Sequence, residues 1–556
     1  MAKHTTRRAG LAAAIGALAA GAAIPAIPDA EADRKKRKAR PEGPCGDGSA
    51  KSNRCKGDGD CCTGICRKVK KKGKKTISRC RCNQRGQSCS EDRNCCNSLT
   101  CVQGTCKGSD TGGGGGGGGG DTNVITVGPN DDLQAAIDNA PPGAVVVLQA
   151  GTYTKNLKVE KSLTLRGASS GLERHGRAFA AVDNTVTMQN SSDGSRAVEV
   201  TGSGVKLTLE NVTVAMNSGF STGGGIKVTA GAGLELLGST KVADSKFTLC
   251  DAAETNSGGA VCLIGAAASR IAGGTVITTN EASPSTLLGG GVFLKDSTLT
   301  IEDTALVTAN KAARGAGIHT GGTSTLTVQG NAMIDANTAE SAGGGILAGG
   351  SGAVNVLATA EVSNNTVSSS GSAGGGGIFA EGTVTVTLGG KVHHNTVTDG
   401  PGGGIVLSEA SVGGIDGGSV EYNTCSGKGG GVYKSSTAGL VLLNTVSIKE
   451  NTSSGGDGGG LAAVDGTVNM TGGTTTITLN NAVNGGGIYL DLPNPFTPIG
   501  TISITSNTAT GIGGGVYQTD KDPNTVAAFT VTTVSGNTDS GTCAGYYINN
   551  VDCILT

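Results

Sequence analysis

Ten asparagines recur down the chain at steps of 26 to 30 residues: Asn280, Asn310, Asn337, Asn365, Asn395, Asn423, Asn451, Asn481, Asn507 and Asn537. Three residues before most of them stands Val or Ile, as in Val307, Ile334, Val362, Val392, Val420, Ile448, Ile504 and Val534. A few residues after them comes a glycine triplet with Ile or Val, as in Gly343-Gly344-Gly345-Ile346 and Gly429-Gly430-Gly431-Val432. A period in this range is the signature of a repeat architecture. One repeat cannot bury its own apolar face, but stacked repeats share a core and pair strand to strand. Segments such as Thr325-Leu326-Thr327-Val328 alternate apolar inward and Thr outward with the period of a strand. Glycine triplets permit tight turns and close approach of coils. An asparagine at a fixed coil position can point inward and stack in a ladder that satisfies buried backbone groups. The expected fold class is all-β, a parallel β-helix (solenoid). So regular a repeat reads as coil punctuation, because catalysis needs one coil to differ from its neighbours.

The 97 glycines lie in no strict triplet pattern, and the alternation of Val, Ile, Leu and Thr argues against simple disorder. The net charge of zero hides a split. Residues 33–107 hold 21 Lys+Arg against 7 Asp+Glu, and residues from 108 onward hold 20 against 35. A basic arm of this kind suits a polyanion or the chain's own acidic body. Residues 1–32 read as a signal peptide, with Lys3, Arg7 and Arg8 before an Ala/Gly/Leu/Ile run and Ala30-Glu31-Ala32 as the cleavage pattern. That implies a secreted or cell-surface protein with no integral membrane domain after cleavage. Thr6-Arg7-Arg8-Ala9-Gly10-Leu11 resembles a twin-arginine signal, though Gly10 stands where that family has an aromatic. Residues 33–44 form a basic linker.

Twelve of the 17 cysteines fall between 45 and 106 in two sets of six, bounded at 45–80 and 82–106. Each set has an adjacent pair as its third and fourth members. In an exported chain such small units need disulfides to hold a fold. Zinc is disfavoured because neither module contains a His or a C-x₂-C pair. Spacing alone leaves fifteen connectivities for six cysteines. The C…C…CC…C…C order resembles the knottin family. That resemblance implies first-to-fourth, second-to-fifth and third-to-sixth pairing: Cys45–Cys62, Cys55–Cys66 and Cys61–Cys80, then Cys82–Cys96, Cys89–Cys101 and Cys95–Cys106. Residues 107–120, with nine consecutive glycines, form a flexible linker to the body at 121–556.

The body opens with Leu133-Gln134-Ala135-Ala136-Ile137, Pro141-Pro142-Gly143, Ala144-Val145-Val146-Val147-Leu148, Gly151-Thr152-Tyr153 and Leu163-Thr164-Leu165-Arg166-Gly167. Leu133, Ala136, Ile137 and Ala140 share one face of a short helix that Pro141 stops. This opening resembles the N-terminal cap helix and first coils of pectin-lyase-like proteins, which implies a right-handed parallel β-helix. The glycine and Val/Ile-x-x-Asn repeats are similar to those of polymorphic outer-membrane proteins, adhesive passengers, with Val or Ile in place of Phe. About 20 residues follow Asn537, too few for the transmembrane barrel of that family. Cys250–Cys262 and Cys543–Cys553 are placed to staple local loops, and Cys425 reads as a small buried apolar residue.

No catalytic constellation stands out. Asn537-Thr538-Asp539 matches one fragment of a polygalacturonase pattern, but Asn-Thr is also what the repeat produces. Gly455-Gly456-Asp457-Gly458-Gly459 occurs once, whereas calcium nonapeptides work in tandem. His393 and His394, as adjacent strand residues, are expected on opposite faces and so poorly placed to share a metal. Tyr433, Tyr489 and Tyr517 each follow a glycine triplet with one Val or Ile between and are expected to stack as a stripe, the candidate glycan contacts. The irregular stretch Asp491–Pro498 is the other place where one coil departs from the rest.

The function expected is an exported, adhesin-like structural or binding protein, a β-helix rod with basic modules on a glycine tether. Its partners would be cell-wall or extracellular polysaccharide or another anionic polymer, without specific nucleic-acid binding. No cofactor is expected. One alternative is a polysaccharide lyase or glycoside hydrolase of the pectin-lyase-like class, where Ca²⁺ would enter. Another is a secreted toxin or inhibitor carried by the cysteine modules.

Overall fold

The computed structural model describes four short strands between residues 66 and 107. From 123 to 555 it describes the body apart from 169–184, 192–195, 217–224, 248, 251–256, 283–286, 369–370, 372, 492–498, 520–532, 541–545 and 549–551. The chain divides into two units, Met1–Asp121 and Thr122–Thr556. Within the first, Cys66–Val69 pairs antiparallel with Ile77–Cys80, and Thr100–Val102 with Thr105–Lys107. The leader, the glycine linker and the expected disulfides of both modules lie outside the described residues, as does Cys543 of the expected Cys543–Cys553 pair.

The second unit is a parallel β-solenoid of about 11 turns with one short helix. The helix, Leu133–Asn139, buries Leu133 and Ile137, and Asp132 caps it by accepting from the N–H groups of Gln134 and Ala135. Three sheets run along the stack. One has 15 strands, from Leu157–Val159 to Asp552–Leu555. Another has ten very short strands, from Lys246–Phe247 to Thr508–Ala509. The third, of 26 strands, carries two strand columns, which merge where Thr467–Thr478 pairs with both Gly439–Leu443 and Val446–Lys449. Neighbouring coils pair residue for residue, as in Ile334↔Val362↔Val392↔Val420. Identical positions therefore stack into columns, and the inward columns form one core from Val127 to Val516.

The asparagines do form a buried ladder. The backbone N–H and Nδ2 of Asn310 both donate to Oδ1 of Asn337, each at 3.0 Å. The second Nδ2 proton goes back to the carbonyl of Ile277, at 3.1 Å. Ile277 lies three residues before the preceding rung, Asn280, and this bond explains the Val/Ile-x-x-Asn spacing. The pattern starts at Ser245, whose N–H donates to Asn280, and runs to Asn537. One expectation needs correction. The rung is Asn480, not Asn481: Asn480 donates to Asn507 and Ile448, whereas Asn481 is exposed on the next strand. The Val/Ile-x-x-Asn rule already favoured this, since Ile477 stands three residues before Asn480.

Two backbone features hold the ladder in place. The residue before each rung is left-handed, from Asp244 (φ 54°) through Ala336 (φ 54°) and Leu479 (φ 58°) to Gly536 (φ 65°). For most L-residues this costs roughly 1–2 kcal/mol, a strain the rung's hydrogen bonds offset. Glycine is required at the triplets for a different reason. Gly343 is itself left-handed (φ +60°), and a Cβ on Gly345 would lie 2.7 Å from Gly377 O and 2.9 Å from both Asn365 Nδ2 and Val362 Cγ1. The last glycine of the triplet thus packs directly on the ladder of the adjoining coil.

Removing the Asn480 side chain would strand the Asn451 N–H and Nδ2 and the Ile448 carbonyl, each costing about 1–3 kcal/mol when buried and unpaired. Asn480→Ala is therefore expected to destabilise the solenoid by about 3–5 kcal/mol, against roughly 0.5 kcal/mol or less for Asn481→Ala. Urea unfolding of the two variants checks this; equal losses would refute the assignment of the rung.

Candidate functional site

The tyrosines lie on the outward column of the 15-stranded sheet, in the order Tyr433, Ala462, Tyr489, Tyr517. The structure brings Tyr489 and Tyr517 together, stacked at 5.6 Å and 20°. Tyr433 is separated from them by Ala462. Lys428 sets its ammonium 3.9 Å from the Tyr489 ring centroid and pairs with Asp457 at 2.8 Å. Burial works against that ammonium, but the Asp457 carboxylate and the contact with Tyr489 together outweigh it and hold the Lys428 pKa above its usual value. Asp457 also accepts from Asn484 Nδ2 at 2.9 Å, so it serves contacts between coils. Packed by a cation and a second ring, Tyr489 is only 6 % exposed, whereas Tyr433 and Tyr517 are half-buried.

The same outward column continues toward the N-terminus as Val406, Phe379, Leu347, His319, Phe293 and Cys262. These side chains are buried although they face away from the core, forming two satellite clusters with Ala342 and Cys250. Arg314 pairs with Glu381 at 2.7 Å and lies over Phe379. Cys250 and Cys262 form the local disulfide, with Cα atoms 6.1 Å apart. Burial, helped by the charge of Arg314, pushes the His319 pKa down to about 3, so the ring is neutral. Of this column, sequence reading singled out only the tyrosines and Cys262, because it mixes residue types and shows no repeat of its own.

The ten-stranded sheet offers a different surface. Its first outward column runs Thr338, Thr366, Thr396, Thr424, Thr452, Asn481, Thr508, and Thr538 joins by an isolated bridge. Two residues on, past one position that is buried in every coil but the last, stand Ser368, Thr398, Ser426, Ser454, Val483, Thr510 and Ser540. From 366 to 540 these two columns hold no charged residue and are exposed or half-buried throughout. Sequence reading passed over them because Thr also occupies ordinary outward strand positions.

The remaining candidates resolve one by one. Asn537 is the last rung, and Asp539 accepts from the Gly513 N–H at 3.0 Å, so Asn537-Thr538-Asp539 serves the solenoid itself. Cys425 is buried and free, its thiol pushed up to about 11 by burial. Asp491 accepts from Thr519 Oγ1 at 2.7 Å, while 492–498 lie outside the described residues. The histidine pair departs from expectation. His393 ends the strand Lys391–His393, and His394 is left-handed at φ 54°, so the two rings do not diverge. Their Nδ1 atoms lie 2.8 Å apart, and His393 Nε2 is 3.2 Å from Glu361 Oε2. Among the described residues no group of three or more His, Cys, Asp or Glu is arranged to hold a metal ion.

Lys434 was not anticipated. Its side chain is fully buried in an inward column between Leu407 and Ala463, and Nζ donates to the carbonyls of Ser436, at 2.6 Å, and Asp465. Burial lowers its pKa to about 8. Compared with known proteins, the chain matches no family model, no curated protein and no solved structure.

The folded state binds the Lys434 proton less tightly than the unfolded chain does. Stability from this group is therefore fully present above about 10.5 and is lost as pH falls through about 8. Relative to Lys434→Met, the wild type is expected to gain on the order of 3 kcal/mol between pH 8 and 10.5. Urea unfolding across that range checks the sign; a difference independent of pH would refute the burial of the charge.

Proposed function

We propose that the chain is an exported, adhesin-like binding rod whose ten-stranded sheet contacts extended glycan. The observation that carries this reading is the uncharged Thr/Ser face from Thr366 to Ser540. Hydroxyl groups both donate and accept, as do those of a polysaccharide. Parallel strands place them at intervals of about 4.8 Å, so a polymer lying along the axis meets hydroxyls at every coil from 366 to 540 except that of Asn481 and Val483. The ladder keeps such a face rigid, which limits the ordering cost of binding. Tyr433 and Tyr517 supply candidate stacking contacts on the neighbouring sheet. The finer assignments rest on the opening's resemblance to pectin-lyase-like proteins, for a right-handed coil, and on the cysteine order, for knottin-like modules. Under this reading residues 33–107, carrying an excess of 14 positive charges (21 against 7), add salt-dependent attraction to anionic polymer.

The test is co-sedimentation of the full chain with insoluble cellulose, chitin and peptidoglycan. Binding to at least one is expected, with a loss of at least tenfold, ~1.4 kcal/mol, in the double variant Thr396→Lys/Thr452→Lys. No sedimentation, or equal sedimentation of both proteins, would overturn the proposal. Release of unsaturated or reducing ends from the same polymers, or from polyuronides with Ca²⁺, would favour the lyase or hydrolase alternative instead.

A further inference from the structure

We propose that the threonine face of the ten-stranded sheet is an ice-binding surface, with hexagonal ice itself as the ligand. This goes beyond glycan contact and does not rest on it, although it uses the same hydroxyls. In four consecutive coils both outward positions carry a hydroxyl: Thr366 with Ser368, Thr396 with Thr398, Thr424 with Ser426, and Thr452 with Ser454. The strands stay in register, Thr366↔Thr396↔Thr424↔Thr452, with no shift between coils. Val367, Val397, Cys425 and Ser453 between the two columns are buried, so the hydroxyls form two parallel lines with no side chain standing between them. The next coil breaks the pattern with Asn481 and Val483, and Thr508 with Thr510 resumes it.

The spacing selects the ligand. The hydroxyls repeat at about 4.8 Å along the axis, and two strand residues set the lines roughly 6.6 Å apart. On the prism face of hexagonal ice, oxygens repeat along the a axis at slightly less than the first distance. Along the c axis they repeat at slightly more than the second. Over the three steps from Thr366 to Thr452 the axial mismatch adds up to less than one hydrogen-bond length. Four pairs therefore meet one lattice plane together.

A rigid lattice rewards a surface whose oxygens are already in place, because nothing has to be ordered on contact. Branching at Cβ restricts χ1 of each threonine. The second line is tethered to the backbone: Ser426 Oγ accepts from the Gly400 N–H at 3.0 Å, and the Ser454 and Ser368 hydroxyls donate to the carbonyls of Cys425, at 3.2 Å, and Ala339, at 3.4 Å. Among the described residues the hydroxyls of Thr366, Thr396, Thr424 and Thr452 have no protein partner and are left to water. Each of these threonines directly follows a rung, Asn365, Asn395, Asn423 or Asn451. A side-chain ladder is what holds a sheet of many strands flat against its natural twist. None of the eight residues is charged, and a charge would orient its own hydration shell against the lattice. His394, Tyr422 and Glu450 stand on the left-handed corner, on the far side of the rungs.

The experiment is slow growth of ice in a dilute solution of the full-length protein, with thermal hysteresis read on the same samples. The wild type is expected to enter the ice at least tenfold in excess of an inert globular protein and to hold the freezing point below the melting point. Thr424→Lys and, separately, Thr396→Lys are expected to lose both effects while unfolding in urea as the wild type does. Thr385→Lys, on an exposed position of the 26-stranded sheet, is expected to keep both. Exclusion of the wild type from ice, or entry of either folded face variant at the wild-type level, would overturn the proposal. Sedimentation of the wild type with insoluble glycans is scored separately, so failure here is distinguishable from failure of the glycan reading.

Discussion

Each asparagine amide in the interior of this solenoid makes a three-way bargain. Its oxygen accepts two protons from the rung before, one of its own protons goes forward to the next rung, and the other goes back to a strand carbonyl. A buried primary amide has two donors and two acceptor sites, and here all four are matched. No rung is complete without its neighbours on both sides, so the ladder couples coils that touch otherwise mainly through strand pairing and apolar packing. The glycine triplets follow from that coupling. The ladder brings adjoining backbones so close that a single Cβ at Gly345 would strike a carbonyl, an asparagine amide and a valine at once.

Much of this was legible in the sequence, because stacking turns a column in space into a period along the chain. The rungs, the inward Val and Ile, the cap helix and the first strands all followed from spacing and alternation. The error at Asn481 lies where two asparagines stand together, and Ile477, three residues before Asn480, is what tells the rung from its neighbour. What escaped were features with no periodic residue identity. The corner before each rung is left-handed whether Thr279, Ala309, His394 or Leu479 occupies it, since the ladder imposes that backbone and only Gly536 accepts it freely. The meeting of His393 and His394 depends on that corner, which is why an argument from strand alternation placed them apart. Lys434 was likewise invisible, because nothing local marks a lysine as pointing inward. The tyrosine stripe was legible as a column but not in its packing, since Lys428 comes from a different segment of the coil to cover Tyr489.

The chemistry available to the solenoid is therefore on its outside and arranged by column. One outward column is mostly apolar and buried from Cys262 to Val406, another is an uncharged and mainly hydroxyl-bearing run that is exposed or half-buried, and the histidine pair sits at the edge of the latter, on the same corner as Tyr422. A regular scaffold of this kind suits recognition of something equally regular. Its irregular positions, such as Lys434 and His394, are where individual coils acquire properties the repeat does not supply.

The ladder's continuity is tested most directly by hydrogen exchange of backbone amides in the native protein, resolved by residue. The rung amides from Asn280 to Asn507 all donate to buried side-chain oxygens. They are expected to exchange as slowly as the amides of the core strands Val362 and Val420, with Asn480 protected and only Asn537, at the end of the ladder, faster. Rapid exchange at interior rungs beside slow exchange in the core strands would contradict the account, for the strands would then hold the solenoid together without the ladder.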